Sequence, residues 1–114
     1  MKITRLETCE TVPILMEGIA GASKQVPIGG NDGAPNFSFR VFTLEPGGHT
    51  PHHSHESEHL NYILEGDGEL MDDDAPRAIR QGDFILVKPN ERHQYRNTGD
   101  RPLVFLCAVP KEYE

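Results

Sequence analysis

The chain has 114 residues, with 18 acids against 11 bases, a net charge of −7 and two cysteines. That length fits one domain spanning 1–114. The acidic balance argues against nucleic acid or an anionic membrane as partner. Cys9 and Cys107 are too few and too far apart to read as a disulfide framework, so a cytoplasmic, reducing location is expected.

The first apolar run, "VPILM" at 12–16, is broken by Pro13. It is too short for a secretory signal, and no run approaches a membrane span. Eleven glycines and nine prolines then cut the chain into short pieces. "GGNDGAPN" (29–36) reads as a loop, since no helix follows to make it a phosphate cradle. Between the breaks lie runs rich in β-branched, aromatic and aliphatic residues: "FSFRVFTL" (37–44), "HLNYIL" (59–64), "DFILV" (83–87) and "LVFLCAV" (103–109). No window carries a helical stripe. Short strands with frequent turn signals predict an all-β sandwich or barrel. Asp67-Gly68 reads as a hairpin turn. "MDDDAPRAI" (71–79) reads as a looser, solvated connection, its three aspartates lacking the further oxygen ligands a calcium site needs.

The segment "PHHSHESEH" (51–59) holds four of the six histidines, with His49 just ahead and His93 far downstream. In extended chain, His53 and His55 share a face, near enough to share one metal ion. A turn at 56–58 returns His59 beside them, on the face it shares with Asn61 and Ile63. His93 opens a strand whose other same-face residues are Tyr95 and Asn97. One β-segment cannot surround a cation, so distant ligands are expected. The spacing therefore points to His53, His55, His59 and His93, with His49 and His52 left on a rim or the wrong side.

Two stretches then resemble a known family. Gly47, His53, His55, position 59 and Gly66 follow the spacing of the first cupin motif, and Gly82, His93 and Asn97 follow that of the second. Motifs 47–66 and 82–97 are separated by a short spacer, as in small single-domain cupins. There are two departures. His59 stands where the family usually has glutamate, and Lys88 and Asn90 stand where the second motif has proline and glycine. The resemblance implies an all-β, cupin-type double-stranded β-helix (a jelly-roll barrel) of the four-histidine kind. It also implies a homodimer and one divalent transition metal per chain, manganese or iron, with zinc, nickel or copper as alternatives.

Four neutral imidazoles leave the double charge of such an ion uncompensated, which favours a small anionic or chelating ligand. A redox-active ion with open positions suits a dioxygenase-like oxidoreductase; a non-redox ion acting as Lewis acid suits an isomerase or decarboxylase. A binding module without turnover is the third possibility, and a closed structural zinc site is discounted because the barrel has core enough. No general base is evident. Tyr95, Phe105 and Cys107 are candidate pocket residues, although a buried cysteine is more often a small hydrophobe. Arg40 interrupts an apolar strand and must meet either an anionic ligand or an acid across the sheet. Apolar residues on both faces of 59–64 and 103–109 call for an outer cover. A second copy would supply it, with the 12–16 strand laid across the partner.

Overall fold

The computed structural model describes residues 1–73 and 75–114. Nine strands follow in chain order: β1 (Val12–Pro13), β2 (Ala20–Ile28), β3 (Phe37–His49), β4 (His59–Glu65), β5 (Asp67–Asp72), β6 (Ala75–Arg80), β7 (Phe84–Val87), β8 (His93–Arg96) and β9 (Leu103–Pro110). Among the described residues the only helical pieces are three short 3₁₀ turns. All four apolar runs form strands, as their composition predicts.

The strands make one antiparallel sheet in the order β6-β5-β8-β3-β9-β4-β7, with β2 and β1 added on β3. The sheet is rolled, and β3 shows how. Residues 37–44 pair with β9, after which His49 pairs with Arg96 of β8. The crossing falls at Glu45–Gly48, where Gly47 takes a φ of 83°. Inside the roll, alternate residues of several strands form the core: Leu44, Ile63, Leu70, Ile79, Tyr95, Leu103 and Phe105. Leu44, Ile63 and Leu103 have no exposed surface. Burial of each such side chain contributes about 1.5–3 kcal/mol.

The hairpin lies elsewhere than the sequence suggests. Asp67 and Gly68 begin β5, which pairs with β6 and β8 and not with β4. The chain turns at Gly66, φ 85°, to leave one side of the roll for the other. The hairpin is instead β5–β6, with Asp72 opposite Ala75. It occupies the aspartate-rich segment expected to be a looser connection; of its three aspartates, Asp74 lies outside the described residues. Asp-Gly carries a turn propensity, but the pleat of β5 needs Gly68 as a close-approach residue, since a Cβ there would meet the Arg96 carbonyl oxygen at 2.5 Å.

The final strand is buried mainly on one side. Leu103, Phe105, Cys107 and Val109 face inward; on the other face Val104 is buried as well, whereas Leu106 and Ala108 are only partly covered. On β4, His59, Asn61 and Ile63 face inward and Leu60 is half exposed. The segment at 12–16 contributes only β1, which pairs with β2 of its own chain, and Leu15 and Met16 are exposed.

Gly66 shows what the roll demands of its corners. An added Cβ would run into the carbonyl oxygen of Pro102, in a backbone conformation that L-residues rarely adopt. Gly33 has a similar φ of 87° but open space around it. Gly33→Ala should therefore cost about 1–2 kcal/mol, the left-handed penalty alone. Gly66→Ala should cost at least about 3 kcal/mol. Urea unfolding of the two variants side by side measures the difference.

Candidate metal centre

The rolled sheet brings the 51–59 segment against the start of β8. His53 makes a two-way backbone bridge to His93, with N–O distances of 3.1 and 2.9 Å. The rest of the segment is irregular, so His53 and His55 do not lie on a regular strand as the sequence suggested. Their rings nevertheless sit side by side, with centroids 5.0 Å apart. Asn90 N donates to the His55 carbonyl at 2.8 Å and pins the segment to the β7–β8 loop. Asn90 has a φ of 68°. This accounts for its place in the second motif: asparagine is among the few residues besides glycine that visit the left-handed region readily.

Four imidazoles meet here. His93 lies 5.1 Å from His53, 5.0 Å from His55 and 5.1 Å from His59 between ring centroids. His55 and His59 are 4.5 Å apart. Ring nitrogens of His53, His55 and His93 all lie within 4.8 Å of one another, close enough to hold one ion. His59 points its Nε2 at His55 Nε2, 2.7 Å away. His49 and His52 stand apart: His52 Nε2 bonds the Asp73 carbonyl at 3.2 Å, and His49 Nδ1 lies by the Thr50 carbonyl at 3.1 Å.

Backbone carbonyls orient two of the rings. His55 Nδ1 donates to Ser57 O at 2.7 Å, and His93 Nδ1 donates to Glu91 O at 2.9 Å. A carbonyl only accepts, so each of these Nδ1 atoms carries the ring proton and each Nε2 is a bare lone pair; His59 Nε2, 2.7 Å from that of His55, is then the donor between the two rings in the metal-free protein. Sequence patterning could not find these partners, because any residue offers a carbonyl.

Burial also keeps His53, His59 and His93 neutral. Desolvation, helped by neighbouring imidazoles, lowers the pKa of His53, and desolvation lowers that of His93 against the pull of Glu91. His59 is pushed down to about 3, by burial first, then by His55, His93, Arg40 and His53. Neutral nitrogen donors without a carboxylate suit a divalent transition ion, and this cluster fits one.

The remaining candidates divide. Tyr95 donates its hydroxyl to Asn61 Oδ1 at 2.6 Å and stacks on Phe105 at 4.4 Å. Burial raises the Tyr95 pKa well above its usual range. Both rings belong to the core, two residues along their strands from His93 and Cys107. Asn97 is a structural tie, donating to the carbonyls of Leu44 and Arg101. Cys107 is fully buried, its sulfur 3.0 Å from His59 Nδ1. Arg40 Nη2 bonds that sulfur at 3.2 Å and Nη1 bonds the Tyr113 carbonyl at 3.0 Å. Its Nε is buried without a partner, and among the described residues no carboxylate pairs with it. The acid across the sheet is therefore not found. A groove of about 440 Å³ runs between β5–β6 and β7; of the four clustered imidazoles only His93 lines it.

A family profile described as a cupin domain matches residues 40–109, taking in every one of these site residues. The chain belongs to the cupin family. Among curated cupin relatives, it is 33% identical over 90 residues to 1-methylthio-D-xylulose 5-phosphate methylsulfurylase of Rhodospirillum rubrum, covering 79% of this chain and 56% of that one. It is 35% identical over 72 residues to the oxalate-binding protein of Thermotoga maritima, covering 62% of this chain and 60% of that one. Among solved structures, the polyketide cyclase RemF of Streptomyces resistomycificus superposes with a TM-score of 0.91 at 28% identity, covering 96% of this chain and 79% of that one. The chain spans between about half and three fifths of the length of the first of its curated relatives.

The neutral, buried rings set a pH dependence with a definite sign. In the unfolded chain His53, His59 and His93 take up protons as pH falls through 6.5, whereas the folded site withholds them, most strongly at His59. The unfolded state then binds more protons, so the metal-free protein should lose stability between pH 6.5 and about 3. The slope is about 1.4 kcal/mol per pH unit for each withheld proton. Above pH 6.5 these groups contribute no slope. Denaturant unfolding across this range should show a shallower decline in His59→Asn than in the parent.

Proposed function

We propose that this cupin holds one divalent ion, manganese or iron, on His53, His55, His59 and His93, and acts as an oxygenase on a small anionic or chelating ligand. The observation that carries the reading is the convergence of ring nitrogens of His53, His55 and His93, two of which, His55 and His93, turn their ring proton outward onto a carbonyl. Such an ion supplies positions for ligand and dioxygen and can pass electrons between them. The chain's own residues do the rest. Burial keeps His53, His59 and His93 neutral and available as donors. Arg40, without a carboxylate partner, adds positive charge on the Cys107 side and favours an anion. The groove that His93 helps to line has the volume of a small-ligand pocket.

A second reading, non-redox Lewis-acid chemistry or binding without turnover, draws support from the relatives, one named for oxalate binding and another for a polyketide cyclase. Protein loaded anaerobically with manganese(II) or iron(II) should bind close to one ion per chain. His53→Ala and His93→Ala should each weaken that binding by more than the roughly 10–100-fold typical of an outer-shell partner. Oxygen uptake with a panel of β-diketones and 2-oxo acids distinguishes the readings. Turnover that needs no oxygen and proceeds with zinc or nickel would replace the oxygenase.

The same proposal places the protein in the reducing cytoplasm, in keeping with two unpaired thiols, and makes it a homodimer. On the outside of the roll, Phe39, Ala108, Leu60 and Leu86 are consecutive cross-strand neighbours, as are Leu106, Tyr62 and Phe84 in the next row, which ends on the already buried Val41. Phe84 is 83% exposed and Leu86 53%. Two apolar rows on one sheet face suit a second copy of the same face. Leu86→Glu should shift the mass in light scattering from two chains to one and leave the metal content per chain unchanged.

A further inference from the structure

The inference rests on the metal-binding reading above and concerns a residue that the reading does not use. For one cation to be gripped by Nε2 of His55, His59 and His93, each ring must keep its proton on Nδ1. Ser57 O and Glu91 O receive that proton for His55 and His93. Among the described residues His59 has no carbonyl in this role. Its Nδ1 faces Cys107 Sγ at 3.0 Å.

That sulfur has a second neighbour. Arg40 Nη2 lies 3.2 Å away, and a guanidinium can only donate, so Sγ is an acceptor on that side. Arg40 is itself fixed from two directions, by the Tyr113 carbonyl and by the Phe42 ring, whose centroid is 4.9 Å from its guanidinium carbon. Cys107 has no exposed surface, and β9 pairs it with Arg40 on one side and Asn61 on the other. The sulfur is thus held still. In the metal-free protein His59 Nε2 donates to the bare Nε2 of His55 at 2.7 Å, so Nδ1 accepts from the thiol; an ion taken by both Nε2 atoms would move the His59 proton to Nδ1 and turn the thiol hydrogen aside, leaving a sulfur lone pair for that N–H.

We propose that Cys107 is a positioning residue for His59: when an ion is bound, its sulfur, aligned by Arg40, accepts a hydrogen bond from Nδ1–H and so holds the bare Nε2 toward the ion. This makes Arg40–Cys107–His59 the counterpart of the two carbonyl–imidazole contacts. The coupling belongs to this chain's own pattern, because a ring stands at position 59 where the family's first motif has a carboxylate, and only a ring has a far-side N–H to place.

Cobalt(II) competition titrations on Cys107→Ala and Cys107→Ser, each alone and combined with His59→Ala, test the proposal. Cys107→Ala should weaken binding roughly 10–100-fold. Cys107→Ser, which keeps an acceptor, should recover most of that loss. In the His59→Ala background Cys107→Ala should cost nothing further, since the group it positions is gone. Long-range ¹⁵N–¹H spectra of the zinc-loaded parent should place the His59 proton on Nδ1 and show that resonance moved by Cys107→Ala, a signature a packing defect would not produce. Should Cys107→Ala fail to fold, Cys107→Val fills the space without an acceptor and should show the same loss. Equal affinity in parent and Cys107→Ala, or a loss that persists without His59, overturns the role of Cys107 alone. A parent that binds no cobalt overturns the metal reading itself, and this role with it.

Discussion

The hydrogen bonds from His55 to the Ser57 carbonyl and from His93 to the Glu91 carbonyl are short, and everything chemical about the site depends on their direction. An imidazole can present either nitrogen, and a free ring samples both tautomers. Here the backbone removes the choice: a carbonyl accepts and never donates, so the inward nitrogen is left bare. Two lone pairs from different segments are then aimed at one point before any ligand arrives. Such preorganisation comes from main-chain geometry, which is why the loop at 51–58 and the turn before β8 matter as much as the histidines they carry.

The rolled sheet supplies the remaining constraint. His53 and His93 are 40 residues apart in the chain yet share a backbone bridge. β9 lies between β3 and β4, so Cys107 sits beside Arg40 on one side and Asn61 on the other. Residues from four strands and a loop are held on one inner face by ladder register. This placement also works against stability at low pH. Rings kept neutral by burial withhold protons that the unfolded chain would accept, so the same burial leaves the metal-free fold acid-sensitive.

Much of this was readable from the amino-acid pattern, for physical reasons. Strand parity put His59, Asn61 and Ile63 on one face, and His93, Tyr95 and Asn97 on another, because inward residues alternate strictly along a half-buried strand. The four apolar runs became strands because turn residues bounded each of them. Other features were not readable. Asp67-Gly68 has the composition of a hairpin turn, but the pairing of β5 with β8 is a long-range fact that overrides local propensity. The His53–His55 neighbourhood was anticipated from strand geometry and arises instead from an irregular segment with one bridge. Arg40 was balanced between a ligand and an acid, and neither alternative included the thiol and the carbonyl that hold it. Tyr95 was legible as facing inward, but the side chain that would take its hydroxyl was not.

The central claim is that His53, His55 and His93 converge on a single cation site, with His59 as the fourth donor. A crystal of protein loaded with manganese(II), measured on both sides of the manganese absorption edge, tests it most directly. The account predicts one anomalous peak per chain, within bonding distance of a nitrogen from each of the four rings. A peak elsewhere on the molecule, or no peak with the four rings still clustered, would contradict it.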